Sequence, residues 1–355
     1  MKILTVNAIS IVLLFPDNNL KAEEPDTWGV GAHPVIGYEA ETSLTLGAGA
    51  VIYFEPESKN QDLDEVEFIT SYNLKKQYDL VTGFSKYFRD NKYSIEGEIG
   101  YIRAPDDFHG IGNDVSGSTG MSYDAAFVPV DIACSVRLFD YIYAGPVYSF
   151  QYGNVTVKET DPWYVDRDLR GTGVMYSSGM GAHLVYKSTP KGQLYKRSGT
   201  YCELKGVHYA RAFLGSSSFD TMGIDYRHYF PIFSQGVLGV QFIGKRSAGE
   251  VPFYYFPVLG GSKILRGGGG YAAANLIAAQ AEYRFPVFWR IGAAVFAGAG
   301  EVEEHAGDFG KNVRVAGGPG IRLTLNKKKN ITLRFDLALD SRGNKDIYIK
   351  ILEAF

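Results

Sequence analysis

The segment ITLRFDLAL, residues 331–339, places Ile331, Leu333, Phe335, Leu337 and Leu339 on one side of an extended chain and Arg334, Asp336 and Ala338 on the other. Successive side chains of a strand point to opposite faces, so this is a strand with one apolar face and one face that carries full charges. A soluble sandwich turns the apolar face inward. A membrane barrel reverses the arrangement, with lipid against the apolar face and a wet lumen against the charges. The rest of the chain decides between the two.

The same alternation recurs along the sequence. In TSLTLGAGAVIYF, Leu44, Leu46, Ala48, Ala50, Ile52 and Phe54 oppose Ser43, Thr45, Gly47 and Gly49. In DEVEFITSYNL, Val66, Phe68, Tyr72 and Leu74 oppose Glu65, Glu67, Ser71 and Asn73, and in KYSIEGEIGY, Tyr93, Ile95, Ile99 and Tyr101 oppose Ser94, Glu96 and Glu98. Sixteen candidate strands follow, at 28–38, 42–55, 64–74, 77–89, 92–103, 121–138, 141–157, 173–187, 200–213, 218–229, 236–248, 272–285, 289–301, 311–325, 330–340 and 346–355. Segments of ten or more residues suit a tilted crossing of a bilayer, and an even number returns the chain to the side it started from.

From a periplasmic start, the connections 104–120, 158–172, 249–271 and 302–310 fall outside, and Phe139-Asp140, RDNK and NKKKN fall inside. The long inner connection KSTPKGQLYKRSG is the exception. An open sheet edge in hydrocarbon leaves backbone groups unpaired at several kcal/mol each, so the sheet must close. The expectation is an all-β protein, a sixteen-stranded antiparallel transmembrane β-barrel in one domain over residues 27–355. Glu65, Glu67, Glu96, Glu98, Arg334 and Asp336 then line the lumen.

Composition agrees: 25 Tyr, 22 Phe and 42 Gly suit strands, turns and tightly packed walls. A net charge of −3 gives no basis for nucleic-acid binding. Cys134 and Cys202 support neither a disulfide framework nor a zinc site. The start, MKILTVNAISIVLLFPDNNLKAEE, reads as a secretory signal peptide over residues 1–22. No later stretch is long and apolar enough for a membrane-spanning helix.

The glycine-rich GGSKILRGGGGY, residues 260–271, invites a phosphate-loop reading. It lacks the Gly-Lys-Ser/Thr ending and is followed by alternation rather than a helix start. GSSSF at Gly215 has no strand-turn-helix context for a nucleophile. EVEEH (301–305) and DDFH (106–109) put carboxylates beside a histidine, but both fall in outer connections and read as solvated loops. Asp161, Asp166 and Asp168 with Arg167 and Arg170 read as an external polar loop, with divalent-ion or lipopolysaccharide bridging as the alternative. No catalytic residue, metal site or cofactor is expected, and the chain is read as a non-enzyme.

Several stretches resemble the outer-membrane assembly and secretion superfamily, the BamA/TamA-like bacterial surface antigen barrels. They are PVIGYEAETSLTLGAGAVIYF (34–54), DDFHGIGNDVSG (106–117), GGSKILRGGGGY, AQAEYRFPV (279–287), VFAGAGEV (295–302), GPGIRLTL (318–325), LRFDLALD (333–340) and IYIKILEAF (347–355). The resemblance implies that Arg266 and Gly267 form a motif on the loop between the eleventh and twelfth strands, folded into the lumen, with the arginine held by acidic groups of the inner wall. Two departures stand out. Gly268 replaces the aromatic residue that usually follows Arg-Gly, and Gly298 stands where the family carries an acid on strand thirteen. By parity, Glu282 or Asp336 then becomes the partner of Arg266.

The resemblance also makes IYIKILEAF the insertion signal read by the barrel assembly machinery, with Ile347, Ile349, Ile351 and Phe355 on one face and Leu352 where the family often has Gly. It implies a place in the bacterial outer membrane, contact with its lipid and lipopolysaccharide, and a role in protein assembly or translocation with periplasmic or client proteins as partners. The family's periplasmic POTRA repeats are not found ahead of the barrel. The alternatives are a porin-like solute channel, or a barrel with a loop-borne lipid-related or adhesive activity.

Overall fold

The computed structural model describes residues 28–39, 42–56, 58, 61–112, 120–160, 169–190, 195–233, 235–326 and 331–355. The proposed signal peptide, Asp161, Asp166, Arg167, Asp168 and the lysines 327–329 lie outside the described residues. The strands are β1 (Trp28–Glu39), β2 (Ser43–Phe54), β3 (Asp64–Asn73), β4 (Tyr78–Phe88), β5 (Tyr93–Arg103), β6 (Asp106–Phe108), β7 (Met121–Phe139), β8 (Ile142–Thr160), β9 (Gly173–Lys187) and β10 (Gly199–Tyr209). They continue as β11 (Phe219–Ile232), β12 (Gly236–Gly249), β13 (Val258–Leu259), β14 (Tyr271–Ala272), β15 (Asn275–Phe288), β16 (Ile291–Glu303), β17 (Arg314–Asn326), β18 (Ile331–Asp340) and β19 (Lys345–Ile351).

Sixteen of these form one closed antiparallel barrel, each pairing with its neighbours and β19 returning to β1. The short β6 lengthens the wall beside β7, and β13 and β14 pair with each other inside the connection from β12 to β15. The join is unlike the rest of the wall. β1 and β2 are in register from Trp28↔Phe54 to Glu39↔Ser43, whereas among the described residues β1 and β19 share the single registered pair Tyr38↔Ile349.

The wall is apolar outside and charged inside. On β18, Phe335, Leu337 and Leu339 are 39%, 42% and 43% exposed, while Arg334 and Asp336 are both 2% exposed. Leu44, Leu46, Phe68, Tyr72, Ile95 and Ile99 face out in the same way, and Glu67 faces in, buried. Water would penalise such an exterior, and a bilayer rewards it. No helix among the described residues is long and apolar enough to cross a membrane. At the end that carries the shorter turns, Trp28, Phe54, Phe88, Phe139, Tyr141, Phe288 and Trp289 are exposed and form an interfacial aromatic ring.

The opposite mouth is filled from within. After β12 a short turn presents Phe253 and Tyr254, both buried, to Phe108, Tyr123 and Phe127 of the wall, with ring centroids 4.9–5.2 Å apart. Deeper in the lumen, Leu259 and Leu265 of the same connection pack on Leu276 and Val302.

Four expectations need correction. The ninth barrel strand stops at Tyr209, where Arg211–Phe213 form a 3₁₀ turn instead of continuing to residue 213. The last strand stops at Ile351. Leu352 has φ +67° and turns the chain inward, so the nearly buried Phe355 leaves the face shared by Ile347, Ile349 and Ile351. Its ring joins Tyr229 and Val237 in the lumen. Ile331 is buried rather than outward, at the point where a register shift interrupts the pairing of β17 with β18. Glu301 also is no solvated loop residue: it is buried and accepts hydrogen bonds from the backbone N–H groups of Gly310 and Asn312.

Candidate functional site

The long connection between β12 and β15, the eleventh and twelfth strands of the barrel, dips into the lumen and carries Arg266 to the inner wall. Leu265 has φ +50° and Gly267 φ +85°, and Gly268 N–H donates to Leu265 O at 2.8 Å, so the chain turns tightly around Arg266. Gly267 lies flat on β18. A Cβ there would sit 3.0 Å from the Ala338 methyl, in a left-handed conformation that favours glycine. Its N–H donates to the Tyr348 hydroxyl of β19 at 3.0 Å.

The Arg266 guanidinium is fully enclosed. Its Nη2 meets Glu282 of β15 and its Nη1 reaches Asp336 Oδ2 of β18 at 2.5 Å. The ring of Phe296, from β16, lies beneath it at 3.5 Å. The structure thus brings Arg266 to both Glu282 and Asp336. The planar fork makes that possible, because its two terminal nitrogens address carboxylates on different strands while its face stacks on the aromatic between them.

Each carboxylate serves several cations. Glu282 also meets Arg284 Nε at 2.5 Å and Arg322 Nη2 at 3.2 Å, and Asp336 meets Arg322 Nη1 at 2.6 Å and Arg334 Nη1 at 2.9 Å. Glu353 accepts from Arg322 Nε at 2.7 Å and from the Thr332 hydroxyl at 2.9 Å. Arg284 donates to the main-chain oxygen of Phe355 at 2.9 Å, which is the contact that draws the last residues inward. Burying these charges is costly singly, and the shared geometry offsets that cost. The arrangement holds the loop against the inner wall.

Gly298 on β16 has no room for a side chain. A Cβ at this position would stand 3.0 Å from Leu265 Cδ1 and 2.8 Å from Ala279 O, so the space an acidic side chain would need is taken by the loop. The positive charge is instead answered from β15 and β18.

The loop tip also reaches the join. Ser262 Oγ donates to Glu39 Oε1 of β1 at 2.7 Å, and the same oxygen pairs with Lys350 Nζ of β19 at 2.7 Å. Ser262 O accepts from Arg334 at 3.0 Å, and Lys263 O accepts from Gln280 at 2.6 Å. One short segment therefore touches the first strand, the last strand and the arginine cluster.

Sequence reading did not single out Phe296, Arg322, Glu353, Tyr348, Glu39 or Ser262. Parity held a trace of Arg322, which stands between Ile321 and Leu323 in GPGIRLTL. The others need the closed wall to become neighbours.

Elsewhere on the wall, Ser135 Oγ lies 3.0 Å from His183 Nε2, and His183 Nδ1 lies 3.8 Å from Glu203 Oε1. All three residues lie on strands of the wall, β7, β9 and β10. Cys134 and Cys202 are free, and no metal-binding group occurs among the described residues.

No protein-family model matches the sequence, and no curated protein matches it. Solved structures do. BamA from Haemophilus ducreyi lacking POTRA domains 1–3 matches with a TM-score of 0.64 at 15% identity, over 93% of this chain and 71% of that one. CdiB from Acinetobacter baumannii matches with a TM-score of 0.63 at 9% identity, over 92% and 60% of the two chains. CdiB from Escherichia coli matches with a TM-score of 0.60 at 12% identity, over 93% and 63%. The chain spans less than two thirds of either CdiB. The fold is that of these sixteen-stranded outer-membrane barrels.

Proposed function

We propose that the chain is exported through its N-terminal segment to the bacterial outer membrane and works there as an assembly or translocation barrel. In the resting state the loop anchored by Arg266 closes the lumen, and the join between β1 and β19 is the part of the wall that opens. The observation that carries this reading is the enclosure of Arg266 between Glu282 and Asp336, which pins the loop across the lumen. The one registered pair between β1 and β19 among the described residues supports the second half, because a short ladder has few backbone hydrogen bonds to break.

Ser262, Glu39 and Lys350 link the two halves. Withdrawal of the loop removes a donor from Glu39, and separation of the strands removes its cation, so plug and join loosen together. A client strand could then pair with the exposed edge of β1, by the backbone pairing that strands use for any partner. The apolar exterior provides the contact with lipid, and the outer loops face lipopolysaccharide. A solute channel requires an open lumen, which the Phe253–Tyr254 turn and the Arg266 loop oppose.

The test is reconstitution in liposomes with a small, urea-unfolded outer-membrane barrel as client. The protein should raise the folding rate of the client above that of empty liposomes. Tyr38→Cys/Ile349→Cys, with Cys134 and Cys202 replaced by Ser, should lose the effect when oxidised and regain it on reduction. Equal acceleration by the locked and unlocked forms contradicts an opening join.

A further inference from the structure

The periplasmic turn between β4 and β5 carries an unusual set of side chains for its size: Phe88, Arg89, Asp90, Asn91, Lys92 and Tyr93. Three consecutive non-glycine residues there are left-handed, with φ +50° at Arg89, +54° at Asp90 and +62° at Asn91. Such backbone persists only where surrounding contacts impose it. They do so here: Asn91 is buried, its Oδ1 accepts from Asp62 N–H at 2.8 Å, and Lys92 N–H closes the turn on Arg89 O at 3.0 Å.

The result is a fixed pair of cations. Arg89 and Lys92 are both exposed, and their charged groups stand 5.9 Å and 5.5 Å from the centre of the Tyr93 ring. Tyr93 lies on the lipid side of the wall with Ile95 and Ile99, at the level of the aromatic ring of the barrel. Lys86 stands over Phe88 at 5.3 Å on the same hairpin, but Asp64 already neutralises it at 2.7 Å. Among the described residues, neither Arg89 nor Lys92 has a carboxylate partner.

We propose that this turn is a binding site for the phosphodiester of an anionic phospholipid in the periplasm-facing leaflet. Two cations bracket an interfacial tyrosine at the depth where headgroups lie, so the acyl chains run along Ile95 and Ile99 while the phosphate meets Arg89 and Lys92. Arg89 supplies a planar fork for two phosphate oxygens and Lys92 a point charge.

The experiment is native mass spectrometry of the full barrel released from nanodiscs of phosphatidylcholine and phosphatidylglycerol in equal parts. The unmodified protein should retain phosphatidylglycerol in preference to phosphatidylcholine. Arg89→Gln/Lys92→Gln should lower that retention by roughly fivefold per cation removed. Lys75→Gln/Lys76→Gln, which removes two cations from the turn at the other end of the same strand β4, should leave it unchanged. Heat-modifiable migration on a gel establishes that each variant is folded. Three results overturn the proposal: undiminished phosphatidylglycerol retention in a folded Arg89→Gln/Lys92→Gln barrel, equal loss in the Lys75/Lys76 variant, or full displacement of the lipid by soluble glycerol 3-phosphate.

Discussion

Glu39 and Lys350 meet across the join of the barrel with carboxylate and ammonium 2.7 Å apart, and Ser262 of the lumen loop donates to the same carboxylate. This contact ties the two strands together beside the registered pair Tyr38↔Ile349. Glu39→Ala should weaken the join by about 1.5–3 kcal/mol, the usual worth of hydrogen bonds to a charged group. Deuterium exchange at 37–39 and 348–350 should rise, and the exchange of charges in Glu39→Lys/Lys350→Glu should restore protection. Unchanged exchange in Glu39→Ala would mean that the pair contributes nothing to closure.

Asp336 receives Arg266, Arg322 and Arg334, so its loss takes the carboxylate from buried Arg334 and leaves Arg266 and Arg322 to Glu282 and Glu353. Asp336→Asn should destabilise the barrel by about 3–5 kcal/mol, seen as a lower temperature for the gel-mobility shift. Arg266→Met combined with Asp336→Asn should cost less than the two single changes added together, with a coupling of about 1 kcal/mol or more. Strict additivity would show that the two residues do not act as one unit.

Gly298 offers a way to disturb the loop without touching a charge. In Gly298→Ala the new methyl meets Leu265 at 3.0 Å and the Ala279 carbonyl at 2.8 Å. The loop should shift, with a loss of about 1–3 kcal/mol as in other overpacked interiors. Leu265→Ala in the same chain should recover part of that loss. If the double variant is no more stable than Gly298→Ala, the contact between loop and wall is not the source of the strain.

The barrel was largely legible because alternation is a local property. Phe335 and Arg334 announce their faces from their own sequence positions, and repeated over sixteen segments that pattern fixes the wall, the lumen and the side on which each connection falls. Parity also brought Glu282 and Asp336 into view. It could not reveal that Arg266 engages both, since that depends on a loop crossing four strands, nor that Phe296 lies beneath it. Ile331 and Phe355 misled for a related reason: each is apolar and in phase with its strand, but a register shift beside one and the turn at Leu352 before the other break the phase. Residues whose neighbours are set by closure, such as Glu39 and Lys350, leave no local trace.

The central claim is that Arg266 holds the lumen closed, and planar-bilayer conductance tests it most directly. The unmodified protein should show small, infrequent openings, and Arg266→Ala, verified as folded by its gel mobility, should show a large rise in conductance. A steady, ion-selective conductance in the unmodified protein that Arg266→Ala leaves unchanged would contradict the account.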